Sequence, residues 1–330
     1  MPEFAARGDK HPMFDFLTVC KGFSDFSSNR SRRLVQIVIS AACLYLLFSA
    51  MTGCMHQNRE SHGVPGLLSG TVSHRTVRSD SSQEYYLYLP RHVDQNSRLF
   101  VSVHGISRNA LEHAELFAPF AERYGVVIVA PLFPASKFHG YQRIFANNQG
   151  ERADHVLDRI VEEVRELTGI LSERAYLFGY SGGAQFVHRY TMAYPDRVAK
   201  VVIGAAGWYT FPDPARLYPF GIKPNPNFPG IDPDPDRFLR IPAYVLVGER
   251  DVREDRTLNQ SGRVEYFEGE TRLERGKRWI EEMTQAARAR GLNTDYGFFT
   301  IPRSRHSFRQ CMKRGEMGNL VFRLLFGDLS

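Results

Sequence analysis

Between residues 84 and 327, short apolar runs alternate with longer stretches whose apolar positions recur every three or four residues. The runs lie at 85–89, 99–103, 126–130, 175–178, 199–203, 243–247 and 296–301. They are rich in β-branched and aromatic side chains and predict strands. The stretch 153–169, "ADHVLDRIVEEVRELTG", sets Val156, Ile160, Val164 and Leu167 on one face and stops at Gly169, which predicts an amphipathic helix with a glycine cap. Residues 272–291 and 315–327 carry the same period. Continuous apolar strands separated by amphipathic helices predict a mostly parallel sheet with helices on both faces, a three-layer α/β domain. Neither an internal repeat nor a second domain is visible in the pattern.

One stretch breaks the alternation. Residues 209–237, "YTFPDPARLYPFGIKPNPNFPGIDPDPDR", hold eight prolines, which rule out a regular helix or central strand. Tyr209, Phe211, Tyr218, Phe220 and Phe228 make it too apolar for a free linker, so it reads as a packed excursion from the C-terminal edge of the sheet. Such an excursion either carries specificity or merely covers the core.

The candidate chemistry sits at strand ends. In "LFGYSGGAQF" the strand 175–178 runs into Gly179, Tyr180, Ser181, Gly182 and Gly183, a G-x-S-x-G match opening a helix. A sharp strand-to-helix turn strains the serine backbone and brings strand and helix together, so its neighbours must lack side chains. Glycine-rich turns also cradle phosphates, but there is no Walker lysine here, and no G-x-G-x-x-G follows the first strand. "VGERDV" places Asp251 after the strand 243–247, and "PRSRHSF" places His306 after the strand 296–301. Serine, acid and histidine thus follow one another at the same sheet edge. An imidazole that takes the hydroxyl proton, held in its tautomer by a carboxylate, is what a serine needs to become a nucleophile. Glu249 and Asp255 are alternative acids, and His104 and His188 alternative bases; His188 lies inside the helix after Ser181 and reads as a core residue. His74, His92, His113 and His139 read as loop or surface histidines without partners. "LFVSVHG" ends a strand at His104 and Gly105, and the backbone N–H of Gly182 and of Ile106 are the expected oxyanion donors, with Gly105 or Ser107 as alternatives to Ile106. Trp208 and Tyr209, with Tyr180 beside the serine, are candidates for an apolar wall around the substrate; Trp208 and Tyr209 could equally be core. Arg108, Asn109 and Arg143 could hold a carboxylated substrate or tie loops together.

Composition narrows the partners. The 42 basic and 36 acidic residues are interspersed, so the net charge of +6 describes a mildly basic solvated surface and argues against nucleic-acid binding. No pair of histidines has zinc-protease spacing, and neither a metal nor a cofactor is expected.

The N-terminus has its own grammar. Arg30, Arg32 and Arg33 precede an apolar stretch at 34–51, followed by Thr52, Gly53 and Cys54. These are the parts of a secretory signal. "MTGC" resembles a bacterial lipobox, which implies lipidation of Cys54 and removal of residues 1–53; the alternative is an uncut anchor, since 18 apolar residues just reach spanning length. Either outcome puts the domain on the extracytoplasmic side of a membrane. Residues 54–83 read as tether and domain entry, leaving 84–330 as the catalytic domain. Of the four cysteines only Cys311 lies in that domain, so no disulfide is expected within it.

Taken in order, "VHG", "GYSGG", "VGERD" and "RHSF" resemble the oxyanion loop, nucleophile elbow, acid loop and histidine loop of α/β-hydrolase-fold serine hydrolases, in the bacterial secreted esterase and polyhydroxyalkanoate-depolymerase-like branch. The resemblance implies a carboxylic ester hydrolase working through an acyl-enzyme on a small or oligomeric ester, with no cofactor. An acyltransferase on the same triad, or a non-catalytic envelope lipoprotein that kept the fold, are the alternatives.

Overall fold

The computed structural model describes residues 68–145, 151–252 and 257–328. The signal-like segment 1–53 and Cys54 lie outside the described residues. Eight strands form one sheet: β1 (Val72–Val77), β2 (Asp80–Tyr88), β3 (Arg98–Val103), β4 (Val126–Leu132), β5 (Ala175–Tyr180), β6 (Val198–Gly204), β7 (Ala243–Gly248) and β8 (Tyr296–Ile301). Their order is β1-β2-β4-β3-β5-β6-β7-β8; β1 and β2 are antiparallel and every pairing from β4 to β8 is parallel.

The period of two divides each strand between two cores. Leu99, Val101, Val103, Leu177, Val201, Ile203 and Val245 join one cluster; Phe100, Phe178, Val202, Tyr244 and Leu246 join the other. The α-helices are α1 (Ala110–Tyr124), α2 (Ala153–Thr168), α3 (Gly182–Ala193), α4 (Pro235–Phe238), α5 (Gly262–Glu268), α6 (Arg272–Arg288), α7 (Phe308–Arg314) and α8 (Met317–Phe326), with short 3-10 turns at Tyr141–Arg143 and Pro195–Arg197. The first core is closed by α2, α3 and α6 through Ile160, Phe186 and Trp279, the second by α1, α7 and α8 through Phe117, Met312 and Phe322. Gly125 and Gly169 end α1 and α2 in the left-handed conformation, and Thr271 with Glu274 forms a capping box on α6.

Two assignments change. Val72–Val77, which the pattern leaves within the tether and domain entry, is the antiparallel edge strand β1. It lacks an apolar alternation because only Val77 of its six residues is buried. His113, read as a surface histidine, is fully buried in α1, its ring stacked 3.7 Å from Phe308 and its Nδ1 2.9 Å from Ser102 Oγ. His74 sits on the exposed edge, but with Glu84 2.7 Å away. Pro119 inside α1 hides that helix from a propensity reading, yet Ala114, Phe117 and Ala121 bury its inner face.

Three histidines are sealed into this frame. Burial holds His113 and His188 well below the ordinary value of 6.5, with Arg189 adding to the effect at His188; burial, then the charge of Arg108, lowers His104 to about 4. In the unfolded chain each takes a proton near 6.5 and in the folded protein it does not, so stability falls as pH drops below that value. The loss is up to about 1.4 kcal/mol per pH unit for each histidine. The urea midpoint at pH 5.0 is expected to lie clearly below that at pH 7.5, and His113→Gln to flatten the slope; equal midpoints would contradict the buried-neutral assignment.

Candidate active site

Ser181 connects β5 to α3 with φ 55° and ψ −113°, a sparsely populated positive-φ conformation that costs a non-glycine residue about 1–3 kcal/mol. Its N–H donates to the Gly204 carbonyl of β6 at 2.7 Å, tying the turn to the neighbouring strand. The flanking glycines are required by contact. A Cβ on Gly183 would overlap the Val103 carbonyl and stand 2.5 Å from that of His104; one on Gly179 would overlap Gly183 and stand 2.7 Å from the Ala184 nitrogen. On Gly105 it would lie 3.3 Å from Ser181 Cβ.

Asp251 follows β7 and turns back so that its N–H reaches the Gly248 carbonyl at 2.9 Å. Its side chain is almost fully buried, with Oδ1 accepting from the equally buried Arg272 Nη1 at 3.1 Å and Oδ2 lying 2.8 Å from His306 Nδ1. His306 precedes α7, where Ser307 caps the helix and Arg305 N–H is held by Gln310 Oε1 at 2.8 Å. Its Nε2 lies 3.0 Å from Ser181 Oγ. A carboxylate only accepts, so the proton between Asp251 and His306 sits on Nδ1 and leaves Nε2 to receive the serine hydroxyl. The Tyr180 ring stacks behind His306 at 5.4 Å and 27°. The side chains proposed from sequence as nucleophile, base and acid therefore form one hydrogen-bonded row.

The loop after β3 faces that row. Ile106 N lies 3.5 Å from the position a Gly182 Cβ would occupy, which brings this loop against the head of α3. His104 fixes this loop. Phe133 N–H donates to His104 Nε2 at 3.0 Å, so Nδ1 carries the proton and donates to the Gly105 carbonyl at 2.7 Å. That carbonyl and the Ile106 N–H belong to one planar peptide, so holding the first aims the second. Tyr141 adds a bond from its hydroxyl to the His104 carbonyl at 2.7 Å.

Other candidates fall elsewhere. Glu249 accepts from Arg303 N–H at 2.9 Å, and Asp255 lies outside the described residues. His188 bonds the Ala184 carbonyl and the Thr210 N–H, a satisfied core histidine. Of the candidate wall residues, Tyr209 takes the core alternative and Tyr180 is corrected. Tyr209 is fully buried and stacked on Trp279 at 5.3 Å, so it belongs to the core; Tyr180 is buried against His306 and points its hydroxyl at Cys311 Sγ, 3.6 Å away. Trp208 is also mostly buried but borders a cavity. Arg108 ties its loop to the next one through the Phe138 carbonyl, and Asn109 bonds Glu112 in the first turn of α1. Arg272 and Tyr141 went unnoticed in the sequence: neither stands in a motif, and only the folded chain brings them to the site.

The chain matches no family model and no curated protein. It is similar in structure to a poly(aspartic acid) hydrolase from Sphingomonas sp. KT-1, with 22% identity, 77% of this chain and 100% of that one covered, and a TM-score of 0.66. A poly(3-hydroxybutyrate) depolymerase from Bordetella parapertussis gives 22% identity, 79% and 92% coverage and a TM-score of 0.64. A fluorophosphonate-binding serine hydrolase from Staphylococcus aureus gives 12% identity, 77% and 97% coverage and a TM-score of 0.50. The strand order and these likenesses define an α/β-hydrolase fold.

The tightest demand at this site is at Gly183, where the added carbon would meet backbone rather than a side chain that can move. Gly183→Ala is expected to cost at least about 2 kcal/mol, read as a lower urea midpoint. An unchanged midpoint would mean the close approach of β3 and α3 is not as described.

Proposed function

We propose that the protein is a serine hydrolase that cleaves carboxylic esters through an acyl-enzyme on Ser181. The observation that carries this reading is the row Ser181 Oγ, His306 Nε2, His306 Nδ1, Asp251 Oδ2, with links of 3.0 and 2.8 Å. The likeness to proteins described as hydrolases and depolymerases supports it.

In this mechanism His306 Nε2 takes the hydroxyl proton as Ser181 Oγ bonds to the ester carbonyl carbon, and the carbonyl electrons move onto oxygen. The N–H groups of Gly182 and Ile106 receive that oxyanion, each such donor contributing about a hundred- to a thousandfold. Collapse breaks the bond to the alcohol, which leaves with the proton from His306. Water then attacks the acyl-enzyme, giving its proton to His306, and the second collapse returns that proton to Ser181 Oγ and frees the acid. Asp251 holds the imidazole tautomer throughout and offsets its transient charge. Arg272 occupies the other carboxylate oxygen, so Asp251 keeps one orientation toward His306.

The same reading places the enzyme at the cell envelope, lipidated on Cys54 after removal of residues 1–53. The basic residues at 30–33, the apolar stretch 34–51 and the "MTGC" end support it.

The detergent-solubilised full chain is expected to hydrolyse p-nitrophenyl butyrate and to take one fluorophosphonate adduct on Ser181. Ser181→Ala should lower kcat/KM by at least about ten-thousandfold and abolish the adduct; a mutant as active as the parent would refute the assignment. For the envelope reading, Cys54→Ser should abolish the mass increase of a diacylglyceryl group on the mature N-terminal peptide in a bacterial host. An unmodified Cys54 in the parent protein would overturn it.

A further inference from the structure

The excursion after β6 borders an open cavity of about 610 Å³. Trp208, Tyr218, Phe220 and Phe228 form its aromatic part. Arg143, Arg216, Lys223 and Arg263 supply four positive charges to its lining, and no described lining residue carries a carboxylate. Arg216 is matched by Asp213 at 2.8 Å. Among the described residues no carboxylate pairs with Arg143, Lys223 or Arg263. Two of these guanidinium groups rest on rings instead, Arg263 over Phe220 at 4.4 Å and Arg143 over Phe145 at 5.1 Å. Asn225 and Asn259 add amide groups to the same lining.

Two of the segments that line this cavity, at Arg143 and at Trp208, also abut the serine turn. Trp208 lies four residues beyond Gly204, whose carbonyl holds the Ser181 N–H, and a Cβ on the intervening Gly207 would stand 3.2 Å from Gln185, one helical turn along α3 from Ser181. Arg143 lies two residues beyond Tyr141, whose hydroxyl would be 2.8 Å from a Cβ on Gly182. Its carbonyl accepts from Tyr218 Oη at 2.7 Å, locking the excursion onto that loop.

Cations gathered in a concave site with few matching acids raise the local concentration of anions, and guanidinium groups match planar carboxylates in particular. Aromatic walls add contact for the carbon chain that carries such a group. We propose that this cavity is a subsite for a carboxylate of the substrate, carried several bonds from the scissile carbonyl. The preferred substrates are then esters of dicarboxylic acids or of acidic oligomers rather than neutral lipids. This rests on the serine-hydrolase reading above and adds the charge of its substrate.

The test compares p-nitrophenyl butyrate with the mono-p-nitrophenyl esters of succinate, adipate and suberate on the full chain in detergent. At least one carboxylated ester is expected to show a kcat/KM at least tenfold above the butyrate. That ratio should fall at least tenfold in Lys223→Gln/Arg263→Gln, two exposed positions, and in 0.5 M salt. Binding is read separately in Ser181→Ala, by the change in tryptophan fluorescence on titration with adipate. A saturable change that the double substitution weakens at least tenfold supports the subsite even if no ester is cleaved, so the failure of catalysis and of this inference can be told apart. No preference for any carboxylated ester, together with no fluorescence response to adipate, would overturn it. Equal or tighter binding of inorganic phosphate would overturn the carboxylate assignment in favour of phosphate.

Discussion

The structure turns on the backbone of Ser181, held at φ 55° between a strand and a helix. The hydroxyl can stand free at the sheet edge only if β3, β5 and β6 let α3 approach to backbone contact. That approach is why Gly179 and Gly183 cannot carry a side chain, and it is fixed by the Ser181 N–H bond to the Gly204 carbonyl. A local cost of about 1–3 kcal/mol is tolerable because the parallel strands around it are apolar on both faces and already bound in register. The serine turn is thus a strained point on a rigid frame, the arrangement in which strain persists without relaxing the fold.

Two further constraints follow from the same sheet edge. The loops after β7 and β8 bring a carboxylate and an imidazole to the serine, and both loops must bury polar atoms to do so. Asp251 is satisfied on both oxygens, by Arg272 and by His306. Taking two charges out of water costs several kcal/mol per ion, so the Arg272 pair is better understood as fixing the acid's orientation than as a source of stability. His104 shows the neutral counterpart. Sealed from water and held as a neutral ring, it spends both nitrogens on backbone, one on Phe133 N–H and one on the peptide that carries the Ile106 amide.

Behind α3 the excursion continues this economy of buried polar contacts. Arg189 is fully enclosed over the Trp208 ring at 4.1 Å and reaches Thr210 and the Gln142 carbonyl. Glu268 is pushed up to about 8, first by burial and against the pull of Tyr209 N–H and the arginines nearby. These bonds anchor the start of the proline-rich chain to α3 through Thr210 and to α5 through Tyr209.

The sequence by itself determined the parallel sheet, because strands buried on both faces must be continuously apolar and the helices between them amphipathic. It also located Ser181, Asp251 and His306, since a strained turn needs glycine neighbours and loops at strand ends carry polar residues that stand out from apolar runs. The edge strand β1 escaped it because an exposed strand has no apolar period to reveal it. His113 reads as a loop or surface residue, and Tyr209 stays open between substrate wall and core, because side-chain direction in a helix or an irregular loop depends on what packs against it. Only tertiary structure decided that Arg272 meets Asp251 across 21 residues of sequence, and that Arg143, Lys223 and Arg263 share one cavity. Long-range pairings of this kind leave no local pattern, since each residue is ordinary where it stands and acquires its role from the neighbours that folding brings.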